Sequence, residues 1–205
     1  MRFIENGPSL PDELLEERDN GNVVFFCGAG VSRPAGLPGF FNLAKLVMDA
    51  LGTPANARSK MFLERAKGDP DQAPPIDQVF SLLQREYGAG HIEDVVAKLL
   101  RARPKANISQ QKTILRLPRG ANRNPQVVTT NFDLLFERVE RSIKKYEPPA
   151  LPDLASGQPL EGLVYLHGRL PPKPSLGGPR RGLVLSSSDF GRAYFGLHPV
   201  PKTPS

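Results

Sequence analysis

The stretch Val23-Val24-Phe25-Phe26-Cys27-Gly28-Ala29-Gly30-Val31-Ser32 decides the fold. Its first half is a short β-branched and aromatic run, which predicts a buried strand, and Gly28-Ala29-Gly30 predicts a turn directly after it. Beyond the turn, apolar residues recur at helical spacing at Leu43, Leu46, Val47, Ala50 and Leu51. The stretch therefore predicts a strand, a glycine turn and a helix in succession.

Three more apolar runs have the length of buried strands, and each ends in polar residues. The runs Val127 to Thr130, Leu163 to Leu166 and Leu183 to Leu185 are followed by Asn131, by His167-Gly168 and by Ser186 to Asp189. Helical stripes lie between them, at Ile76, Val79, Phe80, Leu83, Tyr87, at Ile92, Val95, Val96, Leu99, Leu100, and at Phe132, Leu135, Phe136, Val139, Ile143.

Short apolar strands that alternate with amphipathic helices are typical of an α/β fold with a mainly parallel sheet flanked by helices. In such open sheets, ligands bind beyond the carboxyl ends of the strands. Because all four polar segments follow strands, we expect them to converge at one site.

Length and composition restrict the class of protein. The 205 residues suit a single domain, and the longest apolar run, Val23 to Cys27, is too short to cross a bilayer. No signal peptide is recognisable at the N-terminus, so we expect a cytoplasmic protein with no membrane partner. The single cysteine, Cys27, excludes a cysteine-rich zinc module.

Charge is unevenly distributed along the chain. Residues 101–126 contain seven basic residues and no acid: Arg101, Arg103, Lys105, Lys112, Arg116, Arg119 and Arg123. Such a stretch attracts polyanions, so nucleic acid is one candidate partner. A solvated loop and helix surface explains it equally well.

The glycine turn is a candidate phosphate cradle, because glycines let backbone N–H groups approach a pyrophosphate closely. A simple tight turn is the alternative. Arg33 stands where the dinucleotide fingerprint of dehydrogenases has its third glycine, no Gly-Lys-Ser/Thr ending is present, and Pro34 replaces a glycine of the serine-hydrolase elbow.

The other polar residues also have two interpretations. Asn131 is either a site residue or the N-cap of the next helix, with Asp133 favoured in the first turn by the helix dipole. His167 is either a base or a packed histidine satisfied by backbone groups.

Together, Gly28-Ala29-Gly30-Val31-Ser32, Gly36-Leu37-Pro38-Gly39-Phe40, Thr130-Asn131-Phe132-Asp133 and His167-Gly168 resemble the sirtuin (SIR2) signature in order and approximate spacing. The resemblance covers about residues 21–190. The forms Thr129-Thr130-Asn131-Phe132-Asp133 and Ser186 to Phe190 are similar to the SIR2-like domains of bacterial anti-phage proteins.

The resemblance implies a Rossmann-like fold and NAD⁺ as a substrate that is hydrolysed to nicotinamide and ADP-ribose, with no metal cofactor. Asn131 and His167 would be catalytic: Asn131 would hold the attacking water or the nicotinamide ribose, and His167 would be the general base. The NAD⁺-binding set implied by the resemblance comprises Gly28, Ala29, Gly30, Ser32, Gly36, Leu37, Pro38, Thr130, Asn131 and Asp133.

Two departures from the family shape the remaining expectations. Sirtuin deacylases carry a four-cysteine zinc ribbon, so protein deacylation is not expected of a chain with one cysteine. We expect one domain over 1–205, with an NAD⁺-binding unit at 21–53, a helical insertion at 54–115, the rest of the core at 116–195 and a Pro-rich tail at 196–205. That tail suggests a truncated member, either an inactive NAD⁺- or ADP-ribose-binding or interaction module, or one completed by a homo-oligomer or partner protein.

Overall fold

The structure is a computed structural model that describes residues 2, 5–65, 75–117, 125–153, 157, 160–172 and 182–195. Its residues fall into two compact units. The first comprises Met1–Leu37 and Ala102–Leu166, and the second comprises Pro38–Arg101 and His167–Ser205. The expected tail at 196–205, together with Arg119 and Arg123, lies outside the described residues, and the single domain stays a prediction.

Five of the described helices follow one another between the first two strands, and the other strands lie in the second half of the chain. The helices are α1 (Asp12–Asp19), α2 (Phe40–Ala50), α3 (Arg58–Arg65), α4 (Ile76–Tyr87), α5 (Ala89–Leu99), α6 (Ser109–Arg116), α7 (Leu135–Val139) and α8 (Ser187–Phe195). A 3₁₀ helix spans Ala29–Ala35. The strands are β1 (Phe25–Cys27), β2 (Gln126–Thr129), β3 (Lys145–Tyr146) and β4 (Gly162–Tyr165). None of the helices within the described ranges has the length and apolar character that crossing a membrane requires.

The sheet of the first unit has four strands in the order β1-β2-β4-β3, and all three pairings are parallel. Parallel neighbours need crossover connections, and the connection from β1 to β2 contains α2 to α6 while that from β2 to β4 contains α7. The α/β fold class with a mainly parallel sheet flanked by helices is therefore confirmed.

The core of the first unit lies against this sheet. Its buried cluster contains Cys27, Leu115, Val127, Phe136, Ile143, Leu163 and Tyr165. Burying each large apolar side chain stabilises the fold by roughly 1.5–3 kcal/mol. Burial also raises the pKa of the Cys27 thiol to about 11, so this thiol is an inert core group at neutral pH.

The second unit is built on amphipathic helices. In α4 the predicted stripe is confirmed at Val79, Phe80 and Leu83, which are fully buried, and Phe80 stacks on Phe40 of α2 with ring centroids 5.0 Å apart. Gly88, with a positive φ of +85°, separates α4 from α5.

The predicted stripe of α2 is wrong at two positions. The buried residues are Leu43, Ala44, Val47 and Met48, whereas Leu46 is 40% exposed and Ala50 is exposed. At about 100° per residue, the buried four occupy one side of the helix and Leu46 lies outside that arc.

The strand predicted at Leu183 to Leu185 is also wrong. These residues are buried but form no strand; Val184 N–H donates to His167 O over 2.9 Å, and Leu185 N–H donates to Asp189 Oδ2 over 3.3 Å. A short apolar run indicates burial without specifying which backbone geometry achieves it. The helical stripe predicted from Phe132 to Ile143 is also longer than the helix observed there, since α7 covers only Leu135–Val139.

Gly162 begins β4 in a conformation that only glycine tolerates. Its φ is +122°, and a Cβ would lie 2.5 Å from Lys144 O. We therefore expect Gly162→Ala to lower the free energy of unfolding by roughly 2 kcal/mol or more in urea titrations. Gly191→Ala is the control: it lies within α8 with nothing near its Cβ position, and should stabilise by about 0.5–1 kcal/mol. Equal effects of the two substitutions would contradict this account.

Candidate functional site

The carboxyl ends of β1 and β2 bring the glycine turn and the Asn131 segment together in the first unit. Cys27 is the register partner of Thr129, and Thr130 N–H donates to Cys27 O over 3.1 Å. The Thr129 hydroxyl donates to Cys27 O at 3.0 Å and accepts from Asn131 N–H at 3.1 Å. The two strand ends are therefore tied together where ligands bind in parallel sheets.

Asn131 bridges the two segments through its side chain. Its Nδ2 donates to Gly28 O and to Ser32 Oγ, each over 3.1 Å, and the residue is only 8% exposed. Because Nδ2 makes both contacts, the orientation of the amide is fixed and Oδ1 is its remaining acceptor. The N-cap interpretation of Asn131 is wrong, since α7 begins at Leu135 and the Asn131 side chain turns to the glycine turn instead.

Asp133 completes the cluster. Its Oδ2 accepts from the Ser32 hydroxyl over 2.7 Å, and its Oδ1 accepts from Leu135 N–H, the first residue of α7, over 3.0 Å. Burial raises the pKa of Asp133, and the hydrogen bonds from Ser32 and Leu135 oppose only part of that effect. Ser32, Asn131 and Asp133 thus form one connected buried network.

The glycine turn presents its backbone to solvent. Gly28 and Gly30 are exposed, and Ala29 is half-buried. A Cβ at Gly30 would meet nothing within 4 Å, and one at Gly28 would meet only the Thr130 Oγ1, at 3.8 Å. Gly28 has an extended backbone, so neither packing nor strain within the chain explains its lack of a side chain. Open space beside these two residues is what a closely bound ligand would need.

The segment Gly36-Leu37-Pro38 behaves differently at each residue. Gly36 ends the 3₁₀ helix with a left-handed φ of +82°. The side chain of Leu37 packs in a buried cluster with Ala35 and Leu135, so only its backbone is available to a ligand. Pro38 is half-buried and belongs to the second unit.

Sequence reasoning missed Gln111. This residue lies in α6, is fully buried, and its Nε2 donates to Val31 O in the 3₁₀ helix over 2.8 Å. Within the described ranges its Oε1 has no hydrogen-bond partner. Gln111 therefore fixes the segment that carries Ser32, and its only sequence signal is a polar residue on the apolar side of an amphipathic helix.

His167 is described within the second unit. The residue directly follows Leu166 in the chain after β4, is half-buried, and its carbonyl accepts from Val184 N–H. Burial lowers the pKa of its imidazole, which favours the neutral form that a general base requires. Next to it, Gly168 has φ +77° and a Cβ there would lie 2.7 Å from Gly182 O.

The predicted polar segment Ser186 to Asp189 also lies in the second unit, where it anchors α8 to α4. Asp189 Oδ2 accepts from Gln84 Nε2 over 2.7 Å and lies 2.8 Å from Ser186 Oγ, while Oδ1 pairs with Arg192. Burial alone would raise the pKa of Asp189, but the hydrogen bonds from Gln84, Ser186 and Arg192 outweigh it and hold that pKa below its ordinary value.

The basic stretch is exposed in its described part. Arg101 belongs to the second unit, and the bases described in the first unit are Arg103, Lys105, Lys112 and Arg116. The backbone of this loop is anchored, because Arg138 donates to the carbonyls of Arg103 and Pro104.

Within the described part of the chain, no group of three or more histidine, cysteine or acidic residues is arranged to hold a metal ion.

Comparison with known proteins gives a relative without an assigned function. No family model matches the chain. The chain is 34% identical over 206 residues to the uncharacterized protein y4cA of Sinorhizobium fredii (strain NBRC 101917 / NGR234). The match covers 95% of this chain and 16% of that relative, so the chain spans about a sixth of the relative's length.

The two buried aspartates should titrate in opposite directions. We expect the carboxyl carbon of Asp133 to titrate above the ordinary value of 3.8 and that of Asp189 below it. Carbon-detected NMR, with Asp133→Asn and Asp189→Asn for assignment, measures both.

The signs of the stability effects follow from linkage. Because the folded-state pKa of Asp133 is raised, its contribution to stability is present below the unfolded pKa and is lost as pH rises through the folded value. The contribution of Asp189 is present above the unfolded pKa and is lost as pH falls through its lower folded value. Titration of both carboxyls on the same side of 3.8 would contradict the described environments.

Proposed function

We propose that the chain is an NAD⁺ glycohydrolase that cleaves the nicotinamide–ribose bond and releases nicotinamide and ADP-ribose. The observation that carries the proposal is the Asn131 amide, which is held by Gly28 O and Ser32 Oγ at the carboxyl end of β2. This arrangement joins a glycine turn, suited to phosphates, to a fixed polar group suited to a ribose or a water.

The open space beside Gly28 and Gly30 supports the dinucleotide part of the proposal. Because both residues are exposed and a Cβ at Gly30 meets no atom within 4 Å, a pyrophosphate can approach the backbone N–H groups closely. The neighbouring Arg33 is exposed and adds a positive charge to the same 3₁₀ helix.

The reaction requires little chemistry from the protein. A water oxygen forms a bond to the anomeric carbon of the ribose, the bond to the nicotinamide nitrogen breaks, and the electron pair of that bond neutralises the cationic ring. The water proton passes to a base, the role proposed for the neutral imidazole of His167. Asn131 Oδ1 would orient the water or a ribose hydroxyl, and precise orientation supplies much of the rate enhancement.

Ser32 and Asp133 act in this proposal as positioning residues. The Ser32 hydroxyl donates to Asp133 and accepts from Asn131, so a single hydroxyl connects the carboxylate to the amide. A rigid polar network keeps the amide in one orientation, which a solvated asparagine does not maintain. Depletion of NAD⁺ by such a site would suit an anti-phage effector, as the family resemblance implies.

Asn131→Ala and His167→Ala should each abolish nicotinamide release from NAD⁺, because one removes the orienting amide and the other removes the base. Chromatographic quantification of nicotinamide and ADP-ribose measures the loss, which we expect to reach 10²-fold or more by order of magnitude. Far-UV circular dichroism checks that each variant remains folded.

The matched controls are Asn22→Ala and His91→Ala, which change an exposed asparagine and an exposed histidine. Both should retain the turnover of the parent chain. Full turnover in both Asn131→Ala and His167→Ala would overturn the proposal. Stabilisation of the parent chain by NAD⁺ without any turnover would instead identify a binding module.

The glycine turn allows a separate test of dinucleotide binding. Gly30→Val fills space that is open in the unliganded chain, so it should leave the thermal midpoint nearly unchanged while weakening NAD⁺ binding by about tenfold or more. Calorimetric titration of NAD⁺ measures this effect. Gly30→Ala is the intermediate variant, and unchanged affinity in both would argue against a ligand at this turn.

A further inference from the structure

A concave surface lies within the second unit, among α3, α4, the start of α5 and α8. Its volume is about 770 Å³, which falls within the range of small-molecule sites. Three arginines from three different helices line it: Arg58 of α3, Arg85 of α4 and Arg192 of α8. We refer to this surface as the arginine cleft.

The described lining of the arginine cleft carries positive charge. Among the lining residues that the structure describes there is no carboxylate. Arg192 pairs with Asp189, whereas Arg58 and Arg85 are exposed and form no ion pair with any other residue that the structure describes. Nearby acids have other partners, because Glu86 accepts from Ser59 and Asp77 accepts from the Ser187 hydroxyl. Guanidinium groups in this situation are suited to binding phosphate.

Part of the lining is apolar. Met61 and Phe62 of α3 contribute side chains to the cleft, and Met61 is 46% exposed although it is a large hydrophobic residue. An exposed methionine beside a phenylalanine offers a polarizable surface on which a flat ring can lie.

The wall formed by α8 is fixed in place. Asp189 accepts from Gln84 of α4, and Ser186 Oγ lies 2.9 Å from Gln84 Oε1. These contacts hold the first turn of α8, including the cleft residue Ser188, against α4. Arg192 is placed by the same carboxylate, so part of the site is organised before any ligand arrives.

We propose that the arginine cleft binds a small phosphorylated ligand that carries an aromatic ring, the chemistry of a nucleotide. Its phosphates contact Arg58, Arg85 and Arg192, and its ring lies on Met61 and Phe62. None of these residues belongs to the set proposed for NAD⁺ hydrolysis.

The test is calorimetric titration of the whole chain with ADP, pyrophosphate and adenosine. We expect ADP to bind most tightly, and the double variant Arg58→Gln/Arg85→Gln to weaken ADP and pyrophosphate binding by about tenfold or more. Met61→Ala should weaken ADP but leave pyrophosphate unchanged. Arg101→Gln, which removes an exposed arginine of the same unit outside the cleft, is the matched control and should bind ADP as the parent chain does.

The outcomes separate this site from the glycine turn. ADP binding that survives the double arginine change but falls in Gly30→Val would place the nucleotide at the turn and overturn the proposal. Absence of ADP binding at millimolar concentration would overturn it as well. Because ADP contains no nicotinamide, these results do not depend on NAD⁺ hydrolysis, and the double variant should retain the parent rate of nicotinamide release.

Discussion

The parallel pairing of β1 with β2 is the constraint on which the candidate site depends. Its register sets Cys27 beside Thr129, so the segments that leave the two strands emerge side by side. Thr129 then uses its hydroxyl to hold both strand ends, and Asn131 reaches back to Gly28 and Ser32. A slip of one residue would turn each inward side chain of these strands outward and would separate Asn131 from the turn.

Burying a polar network costs stability unless each group finds a partner, and the two buried aspartates show two solutions. Asp189 gains enough hydrogen bonds, one from a guanidinium, to remain ionised below its ordinary pKa. Asp133 accepts hydrogen bonds from the Ser32 hydroxyl and from Leu135 N–H, and these do not outweigh burial, so its pKa stays raised. The hydrogen bonds of Asp189 hold α8 against α4. The carboxyl group of Asp133, in contrast, contributes less to stability once it is ionised.

Local patterns predicted the α/β class, the parallel sheet and the strand, turn and helix order, because buried parallel strands and amphipathic helices leave periodic signals. Contacts that join distant segments left no such signal. Gln111 supports the 3₁₀ helix from 80 residues away along the chain, and the partner of Asn131 proved to be Gly28 instead of its own helix. The run Leu183 to Leu185 had a strand's composition without a strand's pairing. The sequence predicted that this run is buried, but it did not predict which backbone segment the run contacts.

The sequence also did not predict where basic side chains come together in the folded unit. In the sequence, positive charge is densest over 101–126, and the described bases of that stretch are exposed. Arg58, Arg85 and Arg192 are far apart in the sequence, yet packing of α3, α4 and α8 brings them around one cleft that Met61 and Phe62 also line. A solvated run of bases interacts with anions weakly and is screened by salt, whereas convergent guanidiniums in a concavity act on one phosphate together. Convergence in the folded unit, more than density along the chain, therefore determines where this protein can recognise a small anion.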